Sequence, residues 1–237
     1  MRSLILAAGL GSRLEHKTKH IPKAMVEVNG TPIITHQIRA LQFNNINEVG
    51  VVLGYKSEIL KEYLLGEHPD IKFNFFFNDR YSTSNSSYSF YLASEYVKNQ
   101  SYIHLNCDIL FSSDMLKKLI NSPFSNAIAI NYKQKLTDNM ELVSVSKDKK
   151  ILKMSNIYFN DAEAKAYGLA KLSSDSNNWI IKKIDNFLAN GDFNQNYYGI
   201  IREAVNHLDY YVVDSDELLL SEINTLIDYD LVSKVLD

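Results

Sequence analysis

The chain alternates short apolar runs with stretches in which apolar residues recur every three or four positions. The runs include SLILA at residues 3–7, EVGVVLG at 48–54 and SYIHLNCDILF at 101–111. Between them, segments such as ITHQIRALQFNNI at 34–46 place apolar residues at helical spacing. Short apolar runs that alternate with helices are typical of parallel strands whose two faces are both covered. Residues 1 to about 110 are therefore predicted to form an α/β unit.

The pattern changes in the second half of the chain. Short alternating stretches such as NAIAINY at 126–132 and NMELVSV at 139–145 are separated by Lys-Asp, Asn and Gly turn signals. They predict antiparallel strands added to the sheet, and WIIKKIDNFLANG at 179–191 and IREAVNHL at 201–208 predict amphipathic helices. The sequence has no internal repeat or low-complexity linker. We expect one domain over residues 1–237, with halves of about 1–110 and 111–220.

Composition excludes several classes of function. The 237 residues carry a formal net charge of −3 without a long block of Lys and Arg, so neither nucleic acid nor an anionic membrane is an expected partner. No apolar stretch approaches the roughly 18 residues of a membrane span. The single cysteine, Cys107, cannot form an internal disulfide and fits a reducing compartment. We expect a cytoplasmic protein that acts on small molecules.

A glycine-containing loop follows the first predicted strand. In LILAAGLGSRL at 4–14, Gly9 and Gly11 let backbone N–H groups approach an anion, and Arg13 adds a cationic fork. Lys23 brings a second cation from the next loop, at the edge of the sheet where α/β folds bind ligands. The alternative is a plain strand-to-helix turn with a solvated Arg13. The loop lacks the GK[ST] ending of a Walker loop and the full dinucleotide-binding fingerprint.

The same loop, continued by PKAMVEVNGTPII at 22–34, resembles the signature of the nucleotidyltransferases that make sugar nucleotides and CDP-alcohols. Three further motifs follow in the family's order: FNDRYSTSNSSYSFYLA at 77–93, NCDILF at 106–111 and EINTLIDYDLVSKVL at 222–236. The chain is most similar to the phosphocholine cytidylyltransferases of bacterial surface-polymer synthesis. The resemblance implies a Rossmann-like α/β sheet of the GT-A type, mostly parallel and flanked by helices, with antiparallel additions in the acceptor-binding half.

The resemblance also implies which residues contact the nucleotide. The first motif is expected to surround the triphosphate, whereas Asn85 and Ser89, one helical turn apart, are expected beside the base and ribose. A helix-capping cluster is the alternative for this serine-rich segment. The implied nucleotide-binding residues are Leu6, Ala7, Ala8, Gly9, Gly11, Ser12, Asn85 and Ser89.

Three polar side chains are candidates for a divalent cation. Asp108 follows a predicted strand and is directed at the edge that carries the glycine loop; the alternative is a helix cap, which Ser112 or Ser113 would provide better. Glu222 and Asn224 are two apart in a predicted strand and would share a face. Mg²⁺ prefers oxygen ligands and takes one or two from a protein. The resemblance assigns Asp108 to Mg²⁺ and usually has aspartate where Asn224 stands.

The chain departs from the phosphocholine enzymes in the acceptor site. Where those enzymes carry a cage tryptophan, TDNMELV at 137–143 has Met140 and Glu141. Tyr197 and Tyr198 are candidates for aromatic walls. The one tryptophan, Trp179, begins a predicted amphipathic helix and is expected in the core. Phosphocholine is therefore one candidate beside aminoethylphosphonate and other phosphorylated metabolites.

The resemblance implies that CMP is transferred from CTP to a small phosphorylated or phosphonate acceptor, with release of pyrophosphate. Lys23 would stabilise the α-phosphate during in-line attack, Arg13 would hold the departing phosphates, and Mg²⁺ on Asp108 would bridge the substrates. A homodimer is compatible with the resemblance. Two alternatives stay open: a sugar-1-phosphate uridylyl- or thymidylyltransferase, and a nucleotide-binding regulatory module without turnover.

Overall fold

The protein is built on a mixed sheet of nine strands, seen in a computed structural model that describes residues 1–235. Two small ribbons, β2 with β3 and β7 with β13, lie outside this sheet. The strands are β1 (Arg2–Ala7), β2 (Glu27–Val28), β3 (Thr31–Pro32), β4 (Glu48–Leu53), β5 (Lys72–Phe77), β6 (Tyr102–Asn106), β7 (Ile109–Phe111), β8 (Ala127–Asn131), β9 (Leu142–Val145), β10 (Ile151–Ser155), β11 (Ala164–Leu172), β12 (Tyr211–Asp214) and β13 (Leu220–Glu222).

Helices and two short 3-10 turns connect the strands. The turns are Ser12–Thr18 and Lys23–Met25. The helices are α1 (Ile33–Phe43), α2 (Ser57–Glu67), α3 (Ser86–Leu92), α4 (Ser94–Val97), α5 (Ser113–Ile120), α6 (Ser174–Ala189), α7 (Tyr197–Ala204) and α8 (Leu226–Val235). Ser112 caps α5 by accepting the backbone N–H of Met115, so Asp108 does not have this capping role.

The central strands of the sheet run parallel. β5, β4, β1 and β6 are neighbours in that order, and Ile5 of β1 pairs with Val51 and Leu105. β11 then pairs antiparallel with β6, β8 and β9, and β10 pairs antiparallel with β9. The predicted Rossmann-like sheet with antiparallel additions is confirmed. Strands from both predicted halves of the chain join this one sheet.

The two faces of the sheet pack against separate apolar clusters, because successive side chains of a strand point to opposite faces. Leu4 and Leu6 of β1 pack with α3, α6 and α7, whereas Ile5 and Ala7 pack with α1, α2 and α5. Burial of one such leucine or isoleucine contributes roughly 1.5–3 kcal/mol. Burial on both faces explains why the first strand is a continuous apolar run.

A third, smaller cluster ties the end of the chain to the segment after β1. Leu14 is fully buried there and packs with Ile223 and Val232. Beside it, the Lys17 ammonium lies 3.6 Å from the centroid of the Tyr229 ring. These contacts hold α8 against the first 3-10 turn, and so bring the C-terminal segment to the carboxyl edge of the sheet.

One predicted strand is shorter than expected. β13 ends at Glu222, and Asn224 lies in the turn that precedes α8. The Asp228 carboxylate closes this turn by accepting the backbone N–H groups of Asn224 at 3.0 Å and Thr225 at 2.8 Å. Those N–H groups are therefore not available to a strand partner. The prediction that Glu222 and Asn224 share one strand face is wrong.

The fold does not test the predicted cellular location or the predicted oligomeric state of the protein. Within residues 1–235, every helix is too short or too polar to cross a membrane. Cys107 is a free and buried thiol, as expected of a single cysteine. The cytoplasmic location and the homodimer stay predictions.

Gly50→Ala is expected to destabilise the protein. A Cβ at Gly50 in β4 would lie 2.6 Å from Cε1 of Tyr96 and 3.0 Å from Cδ1 of Leu4. Such overpacking costs roughly 1–3 kcal/mol, which denaturant unfolding measures as a lower free energy of unfolding. Gly66→Ala in α2 is the matched control, because a Cβ there meets no heavy atom within 4 Å. Equal stabilities of the two variants would contradict this packing.

Candidate active site

A polar cavity of about 470 Å³ opens at the carboxyl edge of the sheet. It lies beyond the ends of β1 and β6, where α/β sheets bind ligands. Its walls come from residues 6–23, 78–89, 106–108, 139–141, 196–198 and 222–224. These segments include most of the side chains that the sequence predicts to be functional.

The glycine loop forms one wall of the cavity. Gly11 has a φ of 66°, and a Cβ there would lie 2.9 Å from the Cβ of Lys23, so this position requires glycine. A Cβ at Gly9 would meet nothing within 4 Å. Ala7 does not line the cavity, because its side chain points to the opposite face of the sheet and packs in the core. The predicted loop residues that line the cavity are Leu6, Ala8, Gly9, Gly11, Ser12 and Arg13.

Two cations and two oxygen-bearing side chains meet beside this loop. Lys23 Nζ lies 2.5 Å from Asp108 Oδ2 and 2.9 Å from Asn224 Oδ1. Arg13 Nη2 donates to the same Asn224 oxygen at 2.7 Å. Asp108 Oδ1 is buried and has no hydrogen-bond partner among the described residues. The fold thus brings together four predicted site residues from three distant parts of the chain.

The ion pair in this cluster is shielded from water. The Lys23 and Asp108 side chains are 10% and 15% exposed. Removing one partner of a buried ion pair costs roughly 3–5 kcal/mol, because the other charge is left unpaired. The Lys23 ammonium is therefore held at the cavity wall instead of extending into solvent.

Glu222 lines the cavity but is paired with a cation. Its Oε2 lies 2.9 Å from Nζ of Lys165, which is buried in β11. Across residues 1–235, no three His, Cys, Asp or Glu side chains are grouped closely enough to hold a metal ion. Asp108 and Asn224 both contact Lys23, whereas Glu222 contacts Lys165. The three predicted metal ligands therefore do not form one carboxylate cluster.

The serine-rich segment borders another side of the cavity. Both Asn85 and Ser89 line it. Ser89 Oγ accepts a hydrogen bond from Asn78 Nδ2 at 3.0 Å, which leaves its own hydrogen available to a ligand. Asn85 accepts the backbone N–H of Ser86 at 2.8 Å and so caps α3. Asn85 therefore fits the capping alternative while it also borders the cavity.

Sequence reasoning missed several residues of the cavity wall. Asn78 directly follows β5 and donates to Ser84 and Ser89. Its place directly after the aromatic run KFNFFF at 72–77 is the same kind of signal that identifies Asp108, so it could have been found. Asn106 carries this signal too, because it ends the apolar run that precedes Asp108. Asn139 and Asn196 carry no pattern that separates them from surface asparagines.

The second half of the chain contributes a carboxylate wall, which consists of Glu141, Tyr198 and Glu222. Glu141 accepts two hydrogen bonds from Arg202 Nη1, at 2.6 Å on Oε1 and 2.8 Å on Oε2. Burial raises the pKa of the Glu141 carboxyl, against the opposing effect of Arg202, and Glu222 adds to the rise. The Tyr198 hydroxyl donates to the Tyr167 carbonyl at 2.7 Å. Each carboxylate of this wall therefore has a cation behind it.

Two predicted acceptor residues lie outside the cavity wall. Tyr197 is buried, with its hydroxyl 2.9 Å from the Tyr102 hydroxyl and its ring stacked on His104 at 4.6 Å between centroids. Met140 does not line the cavity, although the residues on both sides of it do. Adjacent residues of a helix point about 100° apart. Tyr198 therefore faces the cavity while Tyr197 faces the core.

Cys107 borders the cavity without a reactive thiol, and Trp179 packs against the core. Burial, and then the charge of Asp108, raises the pKa of the Cys107 thiol to about 12. The thiol therefore stays protonated and is not a nucleophile. Trp179 packs at the edge of a core cluster, with its ring 5.3 Å from that of His207. The structure agrees with the expectation that this tryptophan belongs to the core.

Comparison with known proteins gives consistent matches. The family model of the MobA-like NTP transferase domain matches residues 3–153. A CTP:phosphoglutamine cytidylyltransferase of Campylobacter jejuni is 35% identical over 188 residues, covering 73% of this chain and 73% of that protein. A choline-phosphate cytidylyltransferase of Streptococcus pneumoniae is 30% identical over 237 residues, covering 100% of this chain and 98% of that protein.

A solved structure has the same fold. The CTP:phosphocholine cytidylyltransferase of Streptococcus pneumoniae matches with a TM-score of 0.79 at 24% identity, covering 100% of this chain and 99% of that chain. The family model covers more than half of the residues, and the relative from Streptococcus pneumoniae aligns from end to end. The glycine loop and Lys23 both lie inside the matched region. The chain therefore belongs to the family of MobA-like NTP transferase domains.

Proposed function

We propose that the protein transfers CMP from CTP to a small acceptor that carries a phosphate or phosphonate group and an amine, with release of pyrophosphate. The observation that carries this proposal is one cavity with Arg13 and Lys23 beside the glycine loop and with Glu141 and Glu222 on the carboxylate wall. The cations suit the phosphates of both substrates, and the carboxylates suit a positive group on the acceptor. The names of the two cytidylyltransferase relatives supply CTP as the donor.

The glycine loop supports the binding of a triphosphate. Because Gly11 has no Cβ, the loop passes close to the Lys23 stem, and Arg13 and Lys23 reach the same Asn224 oxygen. Arg13 is exposed and Lys23 is buried. The guanidinium fork suits the departing β- and γ-phosphates, and the compact ammonium suits the α-phosphate. We therefore assign Arg13 to the β- and γ-phosphates and Lys23 to the α-phosphate.

The serine-rich segment suits a pyrimidine base. Asn78 donates to the Ser89 oxygen, which leaves the Ser89 hydrogen for an acceptor atom of the base. Cytosine N3 and uracil O4 both accept such a hydrogen bond. The choice of CTP therefore rests on the names of the two cytidylyltransferase relatives. We assign Ser89 to the pyrimidine edge and Asn85 to the neighbouring base and ribose atoms.

The reaction needs positioning and charge neutralisation more than a protein base. An oxygen of the acceptor phosphate is already a nucleophile at neutral pH and attacks the α-phosphorus in line with the bond to the leaving pyrophosphate. A bond forms from that oxygen to phosphorus, and the bond to the β-phosphate oxygen breaks. Lys23 stabilises the charge that develops on the α-phosphate, and Arg13 stabilises the pyrophosphate as it leaves.

Asp108 and Asn224 fit a magnesium ion. The buried Asp108 Oδ1 lacks a hydrogen-bond partner among the described residues, which a cation would supply. One carboxylate and one amide oxygen match the few protein ligands that Mg²⁺ takes beside phosphates. Asn224 Oδ1 accepts from both Arg13 and Lys23, so it would bind the ion in exchange for one of these donors. When bound, the ion would neutralise charge on the triphosphate and the acceptor phosphate. We assign Glu222 to the acceptor instead, because Lys165 holds it on the carboxylate wall.

The carboxylate wall supports an acceptor with a primary amine. A primary ammonium donates hydrogen bonds to carboxylates, whereas a quaternary ammonium is held by the faces of several aromatic rings. Glu141 and Glu222 offer carboxylate oxygens, and Tyr198 is the aromatic residue of this wall. Tyr81, the other tyrosine of the cavity, belongs to the serine-rich segment, which is assigned to the nucleotide. The ring of Tyr198 by itself does not form a cage. The wall therefore favours a primary amine over choline.

The purified protein with CTP, Mg²⁺ and an aminoalkyl phosphate or phosphonate is expected to release pyrophosphate. A coupled assay measures the release with phosphoethanolamine, 2-aminoethylphosphonate, phosphocholine and glucose 1-phosphate. Replacing CTP by another nucleoside triphosphate should lower kcat/KM at least about tenfold, and chelation of Mg²⁺ should stop the reaction. No release with any pair would contradict an enzymatic role. Release with glucose 1-phosphate and UTP or dTTP alone would identify a sugar nucleotidyltransferase.

Lys23→Met is expected to lower kcat by roughly 10²- to 10³-fold, because the α-phosphate loses its stabilising cation. The variant also leaves Asp108 without its partner, so circular dichroism must show that it is folded under assay conditions. Lys19→Met is the matched control, since Lys19 is an exposed lysine close to the same loop. Full activity of Lys23→Met would contradict the proposed mechanism and leave the fold unaffected.

Glu141→Gln is expected to raise the KM for an amine-bearing acceptor roughly tenfold and to leave the KM for CTP unchanged. The reason is that the neutral amide no longer attracts an ammonium group. With ethyl phosphate, which has no amine, wild type and variant should give the same KM. Glu203→Gln is the control, because Glu203 pairs with Lys183 outside the cavity. A tenfold rise with ethyl phosphate as well would show that Glu141 does not recognise the amine.

A further inference from the structure

A buried histidine of β6 lies beside the cavity and has no role in the proposed reaction so far. His104 is fully buried, and its Nε2 lies 3.1 Å from Oδ1 of Asn106. Its Nδ1 is buried without a hydrogen-bond partner among the described residues. Asn106 lines the cavity at the end of the same strand. The pair links the aromatic core to the cavity wall.

The hydrogen-bond network assigns the tautomer of this histidine. Burial lowers the pKa of His104 to about 4, so at neutral pH the ring carries one N–H. A hydrogen on Nδ1 would be a buried donor without a partner, whereas a hydrogen on Nε2 is bonded to Asn106. Asn106 therefore accepts through Oδ1. Its Nδ2 group is left as a hydrogen-bond donor, and no acceptor for it is found among residues 1–235.

Asn106 is held from a second side by β11. Leu169 of β11 pairs with Leu105 of β6, so Gly168 stands opposite Asn106. A Cβ at Gly168 would lie 2.4 Å from Asn106 Nδ2 and 2.5 Å from its Cγ. A side chain at this position would displace the amide. Gly168 therefore leaves the space that the Asn106 amide occupies, and the hydrogen bond with His104 sets its orientation.

The position of Asn106 in the sheet indicates which part of a ligand its Nδ2 group would contact. On one side Asn106 pairs with Leu6, where the glycine loop begins, and on the other it borders Gly168 of β11. Asp108 follows two residues later. The end of β6 lies between β1 and β11. An acceptor that extends from the Lys23 ammonium to the carboxylate wall would pass over this strand end, where Asn106 lines the cavity.

We infer that Asn106 donates a hydrogen bond from Nδ2 to a phosphoryl oxygen of the acceptor, and that His104 and Gly168 are positioning residues for this donor. The inference rests on the proposed function for the identity of the acceptor. The amide adds a directional contact and no charge, so it orients the acceptor phosphate without a further loss of the negative charge on the attacking oxygen.

Asn106→Asp tests the donor, because the two side chains have nearly the same shape and the carboxylate repels a phosphate. The KM for the acceptor should rise roughly 10- to 100-fold, the range for a lost hydrogen bond to a charged group. The KM for CTP should stay within about twofold. A change in the KM for CTP alone would overturn the inference, because the donor would then serve the nucleotide.

His104→Phe and His104→Gln test the positioning role. Phenylalanine keeps a buried ring without a donor, whereas glutamine can restore an N–H toward Asn106. The acceptor KM should rise about tenfold in His104→Phe and recover in His104→Gln. Gly168→Ala should also raise it, while Gly66→Ala, which meets open space, should not. Thermal melting shows that each variant is folded, and equal acceptor KM values for the two His104 variants would overturn the positioning role.

Calorimetry separates this inference from the proposed function. Titration of 2-aminoethylphosphonate into the protein saturated with CTP analogue and Mg²⁺ measures acceptor binding without turnover. Weaker binding of the acceptor to Asn106→Asp than to wild type would support the donor. If wild type at the same time released no pyrophosphate, the proposed reaction would be contradicted while the donor would stand. Equal binding in wild type and Asn106→Asp would overturn the inference, whatever the enzymatic result.

Discussion

The ion pair between Lys23 and Asp108 is the contact on which the rest of the cavity depends. It joins the segment after β1 to the end of β6, and Asn224 attaches the C-terminal segment to the same ammonium. Buried charges persist only when they are paired, so these three segments cannot separate independently. Gly11 makes the arrangement sterically feasible, because any Cβ there would collide with the lysine stem. The loop, the strand end and the C-terminal turn therefore meet at one buried ion pair.

Charge pairing also organises the carboxylate wall. Glu141 is backed by Arg202, and Glu222 is backed by Lys165. Together with Asp108 and its lysine, each carboxylate that lines the cavity has a cation within ion-pair distance. The cavity thus offers cations beside the glycine loop and carboxylates on the carboxylate wall. A ligand that carries both a phosphate and an ammonium group can place each charge beside an opposite one, which is the physical basis for proposing a zwitterionic acceptor.

The sequence predicts the strands, helices and loops, which depend on neighbouring residues. It does not predict contacts between side chains that are distant along the chain. Apolar runs and helical spacing locate the parallel strands and α1, and the glycine loop with Arg13 and Lys23 locates one wall of the cavity. No local pattern shows that Glu222 is paired with Lys165, because their contact is formed by separate strands. The sequence also does not show which of the two adjacent tyrosines in α7 faces the cavity, because this depends on how the helix packs. The sequence therefore predicts which segments line the cavity, but not which side chains pair with each other there.

The contact between Asn224 and the segment after β1 joins parts of the chain that are made at very different times. Lys23 precedes Asn224 by 201 positions. At ordinary translation speeds roughly 10–40 s separate the synthesis of the two residues. During this interval the first strands can pair, but the Lys23 ammonium has no Asn224 amide to contact, and α8 does not yet cover Leu14. The corner of the cavity around Lys23 is therefore completed only after residue 224 has left the ribosome.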